Sequence, residues 1–340
     1  MWKGSLKNQL DNCFFMLNPE FDRIRKKIFA KAFSQKRNCP ISGCTQPAIQ
    51  SHILQRRGIL NRIISNQHLY EVSFLQFPQL RYVIKKVGWK DAMTFTGLCS
   101  FHDYNLFKAI EIDTLDFTDY KSLLLLSYRP LLHEYRLKEI VKEVFEKLKS
   151  HPIIAKELDP IGIYVLIEAQ TFMLWDIEYT IQNLQTDLST MSRHFTFESL
   201  SLPKTEVCTS IIFSYKSLAD SFKTFPEIDL RQKEPIANIL FHLIPCEKET
   251  KLILGYIEDS EPHIKPRIDF LKGLRQEELL KEVSDMLIKS CETWACSEKF
   301  YNTHIKSREK EILKLMNYFV LRKQYSNEQI KFNLFENGSY

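Results

Sequence analysis

Glycine is scarce in this chain of 340 residues, with only 9 glycines beside 13 prolines. The sequence contains no P-loop, no dinucleotide-binding fingerprint and no Ser/His/Asp motif. The low glycine content argues against a Gly-rich phosphate-binding architecture. The 24 phenylalanines and 14 tyrosines favour well-packed helices and strands instead.

Long apolar runs are also missing. The most apolar stretch, residues 160–175, is short and contains Glu168, whereas a membrane-spanning helix needs about 20 mostly apolar residues. The first residues lack the apolar region of a secretory signal. We therefore expect a cytoplasmic protein without a membrane span, whose eight cysteines are thiols or metal ligands rather than disulfides.

The length allows about two domains. The hydrophobic pattern predicts helices at both ends of the chain and in the middle, and strands on either side of the middle helices. We predict an α+β fold with a domain boundary near residue 115. Residues 1–115 would carry a basic N-terminal helix and a zinc module, and residues 116–340 a mostly helical accessory domain with a small antiparallel sheet. The predicted helices cover residues 1–35, 99–111, 117–150, 160–190, 275–293 and 297–322; the predicted strands lie within 69–97 and 192–260, with a hairpin at 237–257.

The net charge is uneven along the chain. Residues 1–90 hold 16 lysines and arginines against 4 acids, although the whole chain carries only +5. A basic block of this size indicates an anionic partner, of which DNA or RNA is the commonest. The alternative is a solvated basic face without a partner. The candidate nucleic-acid-binding residues are Arg25, Lys26, Lys27, Arg56 and Arg57.

Four residues have the spacing of metal ligands. Cys39 and Cys44 flank a Pro- and Gly-containing turn, as in a zinc knuckle, and Cys99 with His102 opens a predicted helix. Together they form a closed Cys3His set, and the order of knuckle, strands and helix is that of a treble-clef zinc module. The alternative is buried thiols beside an unrelated histidine. The other cysteines are interpreted as apolar core residues, two of them in a helical context (Cys291 and Cys296); the rest are Cys13, Cys208 and Cys246.

These residues, with Ser51-His52-Ile53 and Asp103, resemble the zinc-stapled HNH endonucleases of the ββα-metal type. The resemblance covers residues 38–112. It implies that the Cys3His set holds a structural zinc, that His52 is the general base, and that Asp103 binds a catalytic Mg or Mn ion. Glu111 lies about two turns after Asp103 and is a further candidate ligand of that ion, unless it pairs with a basic neighbour such as Arg56, Arg57 or Lys108.

The chain departs from the family pattern in three ways. The asparagine that orients the base has no clear match, since Asn61, Asn66 and Asn105 have the wrong spacing, and the interval from His52 to Cys99 is longer than in compact members of the family. The third departure is the residue before His52. The family usually has Asp or His immediately before the catalytic histidine, as a second metal ligand, and this chain has Ser51. The first hypothesis is an HNH-like endonuclease, a type often found in prokaryotic defence against phage or mobile elements. The second is a non-catalytic zinc module that binds nucleic acid or a protein. The third is a structural zinc subdomain on a protein that acts through residues 116–340, which are also the candidate surface for a protein partner or a homo-oligomer.

Overall fold

The computed structural model describes residues 19–75, 81–214, 234–322 and 330–336. Within these ranges, helix α1 covers Pro19–Ser34, and the part of the predicted first helix before residue 19 lies outside them. Phe21, Phe29 and Ala32 recur along one side of α1 and are buried there. The lysines of this helix and Arg23 are exposed, as expected for an amphipathic helix, whereas Arg25 lies on the buried side with its guanidinium 5.9 Å from the ring centroid of Phe29.

The segment that contains the predicted zinc ligands is built from short elements. Strand β1 (Gln50–His52) pairs antiparallel with β4 (Thr94–Thr96), and helix α2 (Ser100–Phe107) follows at once. Between β1 and β4 the chain makes a short helical turn (Leu60–Arg62) and a hairpin of two longer strands, β2 (His68–Leu75) and β3 (Arg81–Gly88). The two-stranded β1–β4 ribbon and α2 form the ββα unit that the sequence predicted.

Two long helices follow, α3 (Tyr120–Ser150) and α5 (Pro160–Thr190), with the short α4 (Ile154–Glu157) between them. Both long helices begin where an aspartate can cap free backbone N–H groups. The carboxylate of Asp119 accepts from the N–H of Ser122, and that of Asp159 accepts from the N–H groups of Ile161 and Gly162. These caps and the helical spacing of apolar residues explain why the predicted ranges 117–150 and 160–190 are confirmed.

The main sheet has seven strands in the order β3-β2-β9-β6-β7-β8-β5, and every neighbouring pair is antiparallel. The hairpin predicted at 237–257 is confirmed as two of these strands. The sheet is larger than the small sheet expected, because β2 and β3 join it from the zinc-containing segment. The remaining strands are β5 (Phe195–Pro203), β6 (Val207–Ser214), β7 (Asn238–Pro245), β8 (Glu249–Ile257) and β9 (Thr293–Cys296).

The C-terminal helices are α6 (Glu261–Lys272), α7 (Gln276–Lys289) and α8 (Glu309–Arg322), with three short helical turns before α8 (Glu298–Phe300, Tyr301–Ile305 and Lys306–Arg308). The helical context predicted for Cys291 and Cys296 is wrong. Cys296 ends β9, and Cys291 lies between α7 and that strand. All four residues of β9 are buried between β2 and β6, and a short apolar run without alternation does not distinguish a strand from a buried helix.

Residues of alternate orientation on β7 show how the two faces of the sheet are covered. Phe241 and Leu243 pack with the C-terminal helices α6, α7 and α8, whereas Leu240 and Ile244 pack with α3 and the zinc-containing segment. The α+β class is confirmed. Strands on both sides of residue 115 pair with each other, since β2 is bonded to β9, and the domain boundary at that residue stays a prediction. Within the described residues, no helix is both long enough and apolar enough to cross a membrane.

A buried histidine makes the stability of this core depend on pH. His242 on β7 is fully buried, with Nδ1 2.8 Å from the hydroxyl of Ser210 and Nε2 3.0 Å from that of Ser127. Burial lowers the pKa of His242 to about 3. An unfolded histidine titrates near 6.5, so below that pH the unfolded chain binds a proton that the folded chain does not. Stability is therefore complete above about pH 6.5 and falls as the pH drops towards 3.

This dependence is measurable in a His242→Gln variant. We expect the free energy of unfolding of the wild type to fall by about 1.4 kcal/mol per pH unit more than that of the variant below about pH 6. Urea titrations of both proteins between pH 5 and 7 provide the comparison. Equal pH dependence in the two proteins would show that His242 does not titrate in this way.

Candidate metal centre

A tight turn brings the first two predicted ligands to the same side of the chain. The N–H of Cys39 donates to the carbonyl of Gln46 at 2.9 Å, and the N–H of Cys44 donates to the carbonyl of Ile41 at 3.0 Å. Gly43 adopts φ +77°, a left-handed conformation that glycine reaches without steric cost. The Pro- and Gly-containing spacer in the sequence thus forms the knuckle that two ligands of one ion require.

The second pair of ligands is positioned by the junction of β4 and α2. Cys99 lies at the N-cap of α2, and His102 is in its first turn. Gly97 allows this approach, because a Cβ atom there would lie only 3.0 Å from the hydroxyl oxygen of Ser51 and 3.2 Å from the ring of Phe95. The N–H of Gly97 and the carbonyl of Leu98 both bond to Ile49, which fixes the start of α2 beside β1.

The four predicted ligands form a single cluster. Their donor atoms all lie within 4.8 Å of one another. The Sγ atoms of Cys44 and Cys99 are 3.8 Å apart, and Nδ1 of His102 lies 3.4 Å from Sγ of Cys39 and 3.3 Å from Sγ of Cys99. Bond lengths of about 2.3 Å to sulfur and 2.0–2.1 Å to nitrogen give tetrahedral edges of about 3.8 and 3.5 Å. The cluster therefore fits one zinc ion.

Backbone groups favour the thiolate of Cys99, whereas the pKa of Cys44 is raised by burial and by the neighbouring cysteines. Hydrogen bonding from the backbone of His102 lowers the pKa of the Cys99 thiol, with a smaller contribution from the backbone of Phe101. A lowered pKa favours the deprotonated sulfur, which is the form that binds metal. Four protein ligands close the coordination shell, which is typical of a structural rather than a catalytic zinc site.

Helix α3 holds the metal centre from the side. Arg136 on this helix is buried and donates from Nη2 to the carbonyl of Asn38 at 2.9 Å, next to the knuckle. Its Nε donates to the carbonyl of Thr96 at 3.2 Å, at the end of β4. One guanidinium thus connects the two parts of the chain that carry the ligand pairs. Sequence patterns do not indicate this role, since both acceptors are backbone carbonyls.

Asp103 bonds to the residue that precedes His52. The hydroxyl of Ser51 donates to Oδ1 of Asp103 at 2.8 Å, which joins β1 to α2. Oδ2 of the same carboxylate lies 3.9 Å from Nη2 of Arg129 on α3. The side chain of Asp103 is about one-fifth exposed. His52 and Asp103, the two predicted catalytic residues, are not hydrogen-bonded to each other. They are connected through Ser51, which precedes His52 and bonds to Asp103.

Arg129 is the residue near Asp103 and Glu111 that sequence reasoning missed. Its side chain is 4% exposed, lies 4.2 Å from the ring centroid of Phe107, and contacts Oε1 of Glu111 at 2.6 Å. Glu111 thus pairs with Arg129 and not with the three basic residues proposed from the sequence. The predicted position of Glu111 on the helix of Asp103 is wrong, because α2 ends at Phe107. The sequence does contain a signal for this role of Arg129, which lies between the apolar runs Leu123–Leu126 and Leu131–Leu132. An arginine within an apolar helix stretch needs a buried partner.

His52 has a defined orientation. Its Nδ1 lies 2.9 Å from the backbone carbonyl of Ala92. A carbonyl oxygen can only accept, so Nδ1 carries the proton and Nε2 holds the free lone pair. Among the described residues Nε2 has no hydrogen-bond partner, and the side chain is partly exposed. The imidazole is thus held as a potential base or hydrogen-bond acceptor.

The five predicted nucleic-acid-binding residues fall on two separate elements. Three lie on α1, where Asp22 forms ion pairs with Arg25 and Lys26 and so offsets part of their charge. Arg56 and Arg57 are exposed in the segment after β1. The guanidinium carbon of Arg56 lies 3.5 Å from the ring centroid of Trp89. Only this second group is close in the chain to His52.

Comparisons with known proteins give no family. No protein-family model, no curated protein and no solved structure matches this chain. What the coordinates establish is a Cys3His cluster that fits zinc, within an α+β fold. Any more specific function must be argued from the residues around that cluster.

Proposed function

We propose that this chain is an HNH-like endonuclease that hydrolyses phosphodiester bonds of DNA or RNA, with a structural zinc in the Cys3His cluster. One observation carries the proposal: His52 is held with Nε2 as its free base, directly after the residue that bonds to Asp103 on the zinc-ligand helix. The resemblance to HNH endonucleases implies a general base on the first strand of the ββα unit and a metal-binding residue on its helix.

His52 would take the proton from the attacking water. The carbonyl of Ala92 fixes the tautomer and the orientation of the ring, a role that the family assigns to an asparagine with no clear counterpart in this sequence. Histidine is the usual general base in proteins at neutral pH, and a well-positioned one accelerates proton transfer by about 100- to 10,000-fold. The partly exposed side chain is compatible with access for a large substrate.

Asp103 and Ser51 would hold a divalent cation. Their oxygens already lie 2.8 Å apart, and oxygen is the donor that Mg and Mn ions prefer. Such an ion would stabilise the charge that develops on the phosphate and the leaving oxygen. We leave Glu111 out of this set, because its carboxylate is paired with Arg129.

The test is a nuclease assay on plasmid and single-stranded substrates with Mg or Mn. We expect His52→Ala to reduce cleavage by at least about 100-fold, because proton transfer loses its base. Asp103→Asn should abolish the cleavage that requires the added cation. The matched control is His304→Ala, since His304 is also partly exposed with Nδ1 facing a backbone carbonyl, that of Glu336 at 3.2 Å, but lies in the C-terminal helices.

Zinc content is measured on every variant, so that loss of the fold is not mistaken for loss of the base. Cleavage that disappears in His52→Ala but persists in His304→Ala, with zinc retained in both, would support the proposal. A zinc-loaded wild type that cleaves none of the substrates, or a His52→Ala variant as active as the wild type, would contradict it.

A second candidate is a non-catalytic zinc module that binds nucleic acid. The buried guanidinium of Arg129 favours this candidate. Its fixed positive charge lies near Asp103 and contacts Glu111, and it therefore opposes the binding of a divalent cation there. Salt-dependent binding without cleavage by a zinc-loaded protein would select this candidate. A role in phage defence stays a prediction under either function.

A further inference from the structure

A second group of side chains lies next to the proposed base. The guanidinium carbon of Arg56 is stacked 3.5 Å from the ring centroid of Trp89, and Nζ of Lys90 is 5.6 Å from the same centroid. Arg57 follows Arg56 and is exposed, as are Arg56 and Lys90. We name Arg56, Arg57, Trp89 and Lys90 the Trp89 cluster. Two cations thus lie against one partly buried aromatic ring, and the third, Arg57, is adjacent to Arg56 in the chain.

Two backbone contacts connect this cluster to His52. The imidazole bonds to the carbonyl of Ala92, and the N–H of Ile53 donates to the carbonyl of Met93 at 2.8 Å. Trp89 is three residues before Ala92, a separation of at most about 11 Å even in an extended chain. The cluster therefore draws its residues from the two chain segments that contact each other at His52. Arg56 and Arg57 follow β1, and Trp89 and Lys90 precede Ala92.

The charge of the cluster is not neutralised within the described structure. None of its three cations forms an ion pair with a described carboxylate, although the exposed Asp91 follows Lys90 in the chain. Two basic residues elsewhere differ in this respect: Lys86 on β3 contacts Glu298 at 2.7 Å, and Arg25 on α1 contacts Asp22 at 2.7 Å. A group of three cations without a described acidic partner favours an anionic ligand.

The stacking of Arg56 suits a phosphate in particular. A guanidinium that stacks on an aromatic ring contacts the ring with its flat face. Its N–H donors point outward in the plane of the group and remain available for a ligand. Stacking also reduces the entropy lost when the side chain binds, because the ring already restricts it. Arg and Lys beside each other then offer a fork of donors and a point charge to phosphate oxygens.

We propose that the Trp89 cluster binds a backbone phosphate of the nucleic acid, next to the phosphodiester on which His52 acts. The proposal rests on the proposed function and assigns the substrate contact of that site to these four residues. Arg56 and Lys90 contact the phosphate, and Trp89 positions Arg56. The cluster reads charge and not sequence, so it serves DNA and RNA alike.

The experiment measures binding of fluorescent duplex and single-stranded oligonucleotides over a salt series, by anisotropy and with His52→Ala in every protein so that no cleavage occurs. Adding Arg56→Ala/Lys90→Ala should lower the slope of log affinity against log salt by about 0.9 for duplex DNA, because the one phosphate that both side chains contact is no longer neutralised. Trp89→Ala should weaken binding, and Trp89→Phe should restore most of it.

The charge-matched control is Arg275→Ala/Lys299→Ala, which removes two cations whose side chains are 82% exposed, from the C-terminal part of the chain. We expect its salt slope to match that of the parent. A cluster variant that behaves like this control, or a Trp89→Phe variant no better than Trp89→Ala, would overturn the proposal.

The two proposals fail separately. A lower salt slope in the cluster variant, together with a wild type that cleaves nothing, supports the phosphate contact and rejects the nuclease. Cleavage that depends on His52, together with an unchanged salt slope, supports the nuclease and rejects the cluster as its phosphate contact.

Discussion

A Cys99→Ser variant is expected to lose its zinc and to become much less stable than the wild type. The knuckle and the first turn of α2 are brought together by donor atoms within 4.8 Å, and the strands β1 and β4 that join them are only three residues long. Without the ion, hydrogen bonds such as those of Ile49 and Arg136 are left to connect the two ligand pairs. Loss of a structural metal is among the few changes that reach destabilisation above about 4 kcal/mol.

Zinc content and thermal unfolding are measured on the same samples. Cys246→Ser is the matched control, because Cys246 is a half-buried free cysteine at the β7–β8 turn and does not belong to the cluster. We expect one zinc per chain in the wild type and the control, and less than about a tenth in Cys99→Ser. A Cys99→Ser protein that keeps one zinc per chain and the wild-type melting temperature would show that the ligand assignment is wrong.

The second large effect is expected for Arg129→Met, with a loss of about 1.5–3 kcal/mol, because the carboxylates that lose their partner are partly exposed. Arg129 is almost completely buried, contacts Glu111 at 2.6 Å and lies 3.9 Å from Asp103. Its removal leaves two carboxylates near each other without the cation that offsets their charge. Methionine keeps most of the apolar stem that packs on Phe107, so the change tests the charge more than the packing.

Urea unfolding of three variants tests the role of this buried pair. Arg275→Met is the control, because Arg275 also pairs with a glutamate, Glu278 at 2.9 Å, but with a side chain that is 82% exposed; it should cost about 0–1 kcal/mol. Adding Glu111→Gln to Arg129→Met should recover part of the loss, since one of the uncompensated charges is removed. If Arg129→Met were as mild as Arg275→Met, the contacts of Arg129 with Asp103 and Glu111 would not hold α2 and the segment after it against α3.

The metal ligands could be predicted from the sequence because each pair is local. Cys39 and Cys44 share one turn, and Cys99 and His102 share the start of one helix, so spacing alone determines whether each pair can bind one ion. The long helices α3 and α5 were predictable for the same reason, from caps and periodicity within each segment. Local chemistry is visible in a sequence.

Contacts between distant elements were not predictable in this way. The pairing of β2 with β9 joins segments more than 200 residues apart, and Glu111, which follows the end of α2, pairs with Arg129 on α3. The orientation of His52 depends on the carbonyl of Ala92, and every residue type offers such a carbonyl. Long-range pairing and backbone acceptors leave no pattern in a single sequence, whereas an arginine within an apolar helix does leave one.

The central claim is that Cys39, Cys44, Cys99 and His102 bind one zinc ion, and X-ray absorption at the zinc edge of the purified protein tests it most directly. We predict a first coordination shell of three sulfur atoms at about 2.3 Å and one nitrogen at about 2.0–2.1 Å, with one zinc per chain. A shell of nitrogen and oxygen atoms only, or a protein purified without chelators that contains no zinc, would contradict the claim.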